Sequence, residues 1–331
     1  MKRIEWIDIF KGILIILVVF GHATQGIQSN MNVLNNPGYE SVSFIKNMIY
    51  SFHMPAFFIA SGLLFNSFEK KLNIEYLAKK VKKIAYPYFV WSLITAVFMQ
   101  IAGGNTNSGL GIKDFLYSPV KPFSQYWYLY VYLFLILTYA VLIVLFKNKA
   151  KKFLFGLGII TYLLNPLLPD VWIVKNYCNY LLYFALGLII IKLVKKRVKF
   201  FVNPLYAAFS GILFIMVSFI YAYELIIGNS VFAYFLWLIP SFLGTLFFIN
   251  VSINLKNLSL KKMFTYFGKN SLKYYVMHLI PLAAMRIILL NYIHIQNLWI
   301  VVTFSFIVAI FTCFVSLLIM KKIKVTKLFF S

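Results

Sequence analysis

Apolar stretches of roughly 20 residues, the length a helix needs to cross a bilayer, recur from end to end of the chain. Short polar or cationic segments separate them. Their spacing predicts ten spans, over residues 6–26, 44–66, 84–102, 125–146, 153–169, 177–194, 201–223, 231–251, 271–291 and 298–319. The fifth, which contains Asn165 and Pro166, is the shortest. Lipid offers no hydrogen bonds to backbone groups, so only helices and closed barrels can span it. Barrel strands would read as short alternating segments, and these stretches are long and continuous. The expected fold is an all-α polytopic transmembrane helical bundle, with residues 1–331 forming one membrane domain and no segment long enough for a soluble one.

The first stretch, WIDIFKGILIILVVFGHATQ, breaks the apolar pattern in an ordered way. At 100° per residue, Asp8, Lys11 and His22 fall within roughly 60° of one another. A charge at the bilayer centre costs on the order of 2.5–3.5 kcal/mol on insertion scales, so such residues face protein or a wet cavity. One face of this helix is therefore read as the wall of a reaction site.

Composition adds a boundary. With 62% hydrophobic and 12% charged residues, an ordinary soluble enzyme and a disordered chain are both excluded. The formal net charge of +24 would suit a nucleic-acid binder, but the charges alternate with the spans. Cationic clusters lie at Lys2/Arg3, Lys70–Lys83, Lys147–Lys152, Lys192–Lys199, Lys256–Lys273 and Lys321–Lys327. With ten spans all of them fall on one side, which by the positive-inside rule is cytoplasmic, and so do both termini. Lys2 and Arg3 before an apolar run resemble a signal peptide. Asp8 and Lys11 interrupt that run and no clear cleavage site follows, so it is read as a retained anchor. Cys178 and Cys313 lie in apolar segments and form neither a disulfide framework nor a metal spacing. No metal motif is present, and no metal or bound cofactor is expected.

Candidate chemistry follows the polar interruptions. A neutral imidazole such as His22 can take a proton from an alcohol as it attacks an acyl carbon. Lys11 lies about 16 Å from His22 along the helix, too far to exchange a proton with it. It suits either an anionic part of a long ligand or an ion pair with Asp8 three residues away. In the second span, FHMPAFFIASGLLF, His53 would sit at a depth comparable to His22. Pro55 predicts a kink and Ser61/Gly62 a close helix approach. His53 reads equally as a structural histidine beside that kink. Lys79, Lys80, Lys82 and Lys83 suit anionic lipid or a phosphorylated ligand. Trp127 and its neighbouring tyrosines read first as an interfacial belt. Asn270 and Ser271 mark a helix start, followed by Tyr275, His278 and Arg286 within the ninth span. An intramembrane Arg and His are costly unless they line a cavity.

Together these segments resemble the acyltransferase-3 family of integral membrane O-acyltransferases. RIEWIDIFKGILIILVVFGH is similar to that family's first-helix signature, with a basic residue and a histidine at Lys11 and His22. FHMPAFFIASGLLF, KKVKKIAYPYFVW, WYL and NSLKYYVMH are similar to later landmarks, in the right order over residues 3–278. The resemblance implies acetyl transfer from cytoplasmic acetyl-CoA, as co-substrate, to a hydroxyl of a cell-surface polysaccharide or lipid-linked glycan. It implies His22 as the catalytic histidine and Lys11, Lys80 and Lys83 as donor-binding, and Asp8, on the same face of the helix, is read as catalytic with His22. His53, Ser61, Trp127, Tyr275, His278 and Arg286 would line the site. The family often has arginines where this chain has Lys80 and Lys83, and lysine keeps the charge without the bidentate geometry. Expected partners are acetyl-CoA, a carbohydrate acceptor and membrane lipids, with no nucleic acid. The expected location is a bacterial cytoplasmic membrane, in line with the Ile-, Phe-, Lys- and Asn-rich composition. A transporter or flippase of a polar or lipid-linked substrate is the alternative, since buried ionisable residues in a bundle would serve it too. The missing repeat signature weighs against that alternative.

Overall fold

The computed structural model describes residues 4–65, 68–196, 201–227, 230–255 and 259–330. Lys2, Arg3, Arg197, Lys199 and Lys256 of the cationic clusters lie outside the described residues. Among the described residues there is no strand. The helices are α1 (Glu5–Gln28), α2 (Tyr39–Tyr50), α3 (His53–Leu64), α4 (Ile74–Ala102), α5 (Ile112–Leu116), α6 (Trp127–Phe146), α7 (Ala150–Leu164) and α8 (Trp172–Lys196). They continue with α9 (Pro204–Ile227), α10 (Ser230–Leu236), α11 (Leu238–Leu255), α12 (Lys261–Lys269), α13 (Ser271–Met277), α14 (Leu279–Ile287), α15 (Leu298–Lys322) and α16 (Thr326–Phe330).

Eight helical stretches are long and apolar enough to cross a membrane by length and composition. One of them, Ser124–Leu167, holds two of the expected segments, α6 and α7. The chain turns between these at Lys147, whose φ is +47°, and the Phe146 and Phe153 rings stack 3.9 Å apart. The expected segment 44–66 is instead broken into α2 and α3, each too short to cross alone.

That break has a local cause. Pro55 has no N–H to give the Ser51 carbonyl four residues back, and its ring crowds that carbonyl. The Ser51 carbonyl turns aside and accepts from Ser241 Oγ of α11 at 2.7 Å. Trp237 Nε1 donates to the adjacent Tyr50 carbonyl at 3.4 Å. His53 Nδ1 donates to the Ile49 carbonyl at 2.8 Å. The break therefore precedes the proline, and neighbouring side chains satisfy the freed backbone.

The same device recurs between α13 and α14. Pro281 lies three residues after His278, which forms the junction, and His278 Nδ1 donates to the Tyr274 carbonyl at 3.0 Å. Each broken helix thus places a buried histidine at the break.

Helix α1 is the axis of the bundle. It packs against α2, α3 and each helix from α11 to α15. Its apolar residues are buried on nearly every side, as expected of a helix that is hydrophobic all round. Its contact with α12 is backbone to backbone. A Cβ at Gly268 would lie 1.7 Å from the Asp8 carbonyl oxygen, and one at Gly12 would lie 2.0 Å from that of Phe264. Gly62 of α3 meets Gly187 of α8 in the same way, with ideal Cβ positions 2.2 Å and 2.1 Å from the opposing carbonyls of Phe184 and Ile59. The small-residue approach expected at Ser61/Gly62 is this contact.

The segment 103–123, rich in Gly, Asn and Ser, is ordered by its own side chains. Asp114 accepts from the Gly111 N–H at 2.8 Å at the start of α5. Asn107 Nδ2 reaches the Gly26 carbonyl of α1 at 2.8 Å. The segment lies across the end of α1 and helps to wall the cavity described next.

Candidate active site

Two cavities flank α1. The larger, of about 520 Å³, lies near its C-terminal end. His22, Gln25 and Gly26 of α1 face it, with Tyr50 and His53 from the α2–α3 break. Tyr275 and Arg286 come from α13 and α14, and Thr106, Asn107 and Ser108 from the 103–123 segment. Trp127 and Trp172 close one side, their rings 5.7 Å apart and edge to face. Trp127, read both as an interfacial residue and as a site-lining one, lines the cavity.

His22 is half-buried and held by neighbours on two elements. Its Nδ1 lies 3.4 Å from Tyr50 Oη. Tyr50 also donates to Gln25 Oε1, and a His22 tautomer with its hydrogen on Nδ1 is compatible with that arrangement. In that tautomer the Nε2 lone pair is the basic site. The His278 ring lies beside His22, with centroids 5.1 Å apart. The His53 ring packs against Tyr50 at 4.5 Å.

His53 and His278 are buried, and each spends Nδ1–H on a backbone carbonyl. That fixes each neutral ring with its lone pair on Nε2, and neither Nε2 has a protein partner. His22 and His53 thus share the space around Tyr50, and His278 lies beside His22. Among the described residues, no group of three His, Cys, Asp or Glu side chains is arranged to hold a metal ion.

The smaller cavity, of about 140 Å³, lies further toward the N-terminal end of α1. Lys11 lines it, along with Ser61, Tyr128, Ile84 and Ser271. Lys11 Nζ is 3.9 Å from Asp8 Oδ1, and Asp8 is buried. Ser61 Oγ donates to the Phe57 carbonyl at 2.9 Å and accepts from Tyr128 Oη at 2.6 Å. Tyr275 lines both cavities, and its hydroxyl donates to the Gln125 carbonyl. It is the shared wall between the histidine and lysine compartments.

The residues singled out in the sequence divide between these places. His22, His53, Trp127, Tyr275 and Arg286 face the larger cavity, and Lys11, Ser61 and Tyr275 the smaller. His278 is buried against His22. The structure separates Asp8 from His22: Asp8 pairs with Lys11 and does not line the histidine cavity. Lys80 and Lys83 also do not line either cavity, although Ile84 beside them does. Lys80 lies over the Phe65 and Tyr76 rings at 5.1 and 5.5 Å, and Lys83 is exposed.

Sequence reasoning missed Tyr50, Gln25, Asn107 and Trp172. Gln25 falls one turn after His22 on the polar face of α1, and that spacing was the available signal. The others come from separate elements brought together only by packing.

A family model described as an acyltransferase domain, the acyltransferase-3 model, matches residues 4–320. The chain belongs to the acyltransferase-3 family. No curated protein and no solved structure matches it. This family places the chain among membrane acyltransferases, and both cavities lie within the matched residues.

Proposed function

We propose that this membrane acyltransferase moves an acetyl group from acetyl-CoA to a hydroxyl of a cell-surface polysaccharide or lipid-linked glycan, in a bacterial cytoplasmic membrane. The observation that carries the reading is the pairing of two compartments along one helix, with His22 in one and Lys11 in the other. Their separation of about 16 Å along α1 suits a donor whose charged end stays at the lysines while its thioester reaches the histidine. Lys80 and Lys83, on the same cationic side, would meet the donor's phosphates before it enters.

In the reaction, His22 Nε2 takes the proton of the acceptor hydroxyl as the oxygen attacks the thioester carbonyl. The new C–O bond forms and a tetrahedral oxyanion results. As the carbonyl re-forms, the C–S bond breaks, and the imidazolium returns its proton to the departing thiolate. The products are the acetyl ester and free CoA. Tyr50 holds the tautomer, because Nδ1–H is engaged with its hydroxyl. Asp8 acts on Lys11, neutralising and orienting it between turnovers.

The test is transfer of radiolabel from acetyl-CoA to a panel of membrane glycans by the purified protein in lipid. Wild type should label a glycan, and a folded His22→Ala variant should not. Transfer by His22→Ala at the wild-type rate would remove His22 from the chemistry.

A further inference from the structure

Arg286 is used by none of these steps, although it lines the histidine cavity. It is only 6% exposed. Its Nη1 donates to the Gly26 carbonyl at 2.9 Å, and no carboxylate among the described residues pairs with it. A guanidinium keeps its charge under all ordinary conditions and has five N–H donors. Here one donor is accounted for, and the charge is buried.

The C-terminal end of α1 supplies a partial compensation, equivalent to roughly half an elementary charge. The Gly26 carbonyl is already shared, since Asn107 also donates to it at 2.8 Å. A large part of the positive charge is thus unanswered in a place where burying a lone charge is costly. The position is also built. A Cβ at Gly26 would lie 2.7 Å from Nη1, so the absence of a side chain there makes room for the guanidinium. Arg286 further lines an adjoining cavity of about 180 Å³, whose wall includes the amides of Asn30, Asn32, Asn105 and Asn291. The missing partner is an anion that enters with a ligand.

CoA's phosphates do not fit that role, because they belong at the lysine compartment on the far side of Tyr275. Gly26 lies one turn beyond His22 on α1, about 6 Å along the axis. We propose that Arg286 binds an anionic group, a carboxylate or a phosphate, carried by the acceptor glycan within about one sugar ring of the hydroxyl acylated at His22. The neighbouring amides hydrogen-bond the hydroxyls of the following sugar. The proposal rests on the transferase reading and names the class of acceptor: an acidic glycan, built on uronic acids or on phosphate-linked units.

The experiment titrates the full chain in lipid nanodiscs by calorimetry with three probes: oligogalacturonate, a glycerol-phosphate oligomer and neutral oligogalactose. At least one anionic probe should bind more tightly than the neutral one, with affinity falling as salt is raised. Which anion binds distinguishes carboxylate from phosphate. Arg286→Gln should weaken anion binding at least tenfold, and Arg286→Lys should weaken it less. If Arg286→Gln does not fold, Arg286→Lys decides: anion affinity equal to that of wild type would overturn the proposal, and a weakened affinity with unchanged binding of the neutral probe would support it.

Neutral and anionic probes binding equally, no binding of either anion, or unchanged anion affinity in folded Arg286→Gln would each overturn the proposal. Acetyl transfer on the same probes separates the two readings. His22-dependent transfer to the neutral probe alone would sink the acidic-acceptor inference and leave the transferase reading standing. Arg286-dependent anion binding with no His22-dependent transfer to any glycan would sink the transferase reading and leave Arg286 as an anion-binding residue only.

Discussion

The two compartments along α1 are built in opposite ways. The histidine compartment is wide and assembled from six separate regions of the chain, and two of the three neighbouring imidazoles, His53 and His278, are fixed at helix breaks. The lysine compartment is narrow, and its one cation is steadied by a carboxylate a single turn away on the same helix. The first suits a bulky acceptor and holds its groups still. The second suits a slender arm and a charge that needs only to be present. Positioned bases act on the chemical step, whereas a cation at the far end of a ligand contributes mainly uniform binding.

Mutant kinetics can break that contrast. The largest effect is expected for His22→Ala: turnover should fall by roughly two to four orders of magnitude while acetyl-CoA binding is retained. Steady-state rates measured alongside equilibrium binding check it. Next in size is Gly268→Leu. Its side chain would enter the backbone contact with Asp8, so loss of the folded monomer in detergent is the expected outcome, read by size exclusion.

Lys11→Met should raise KM for acetyl-CoA by about tenfold while turnover changes little, as befits loss of one charged contact worth about 1.5–3 kcal/mol at most. A collapse of turnover like that of His22→Ala would mean that the compartments do not divide binding from chemistry. The smallest effect is expected from Ser241→Ala, which strips the Ser51 carbonyl at the α2–α3 break of its donor. About 1–3 kcal/mol of stability should be lost, visible as a lower thermal midpoint without a change in donor KM.

Much of α1 was legible in the sequence, because the helical repeat alone puts Asp8, Lys11 and His22 on one face. The histidine next to a proline was a readable sign at His53 and again at His278. A proline announces a broken helix, and the residue just before the break is free to turn its side chain inward. The partners of those histidines were not legible. Tyr50 approaches His22 only because the break redirects α2, and Asn107 approaches Gly26 only because its segment folds over the end of α1. Asp8 misled for a related reason. Angular position placed it with His22, but fourteen residues of rise set it with Lys11 instead. Trp127 could be read two ways, since an aromatic-rich helix start looks the same whether it faces lipid headgroups or a cavity.

The glycine contact between α1 and α12 bears on how the protein is made. Helix α1 is made before α2 to α11, and the surface that fills its Gly12 groove, on α12, is synthesised only after all of them. During that interval α1 must wait with its polar face uncovered by its final neighbours. The Asp8–Lys11 pair lets it wait as a nearly neutral segment. Closure of the bundle is therefore a late event that joins helices far apart in the chain. A nascent chain halted before α12 would hold α1 in the membrane with neither compartment finished, because Tyr275 of α13 walls both.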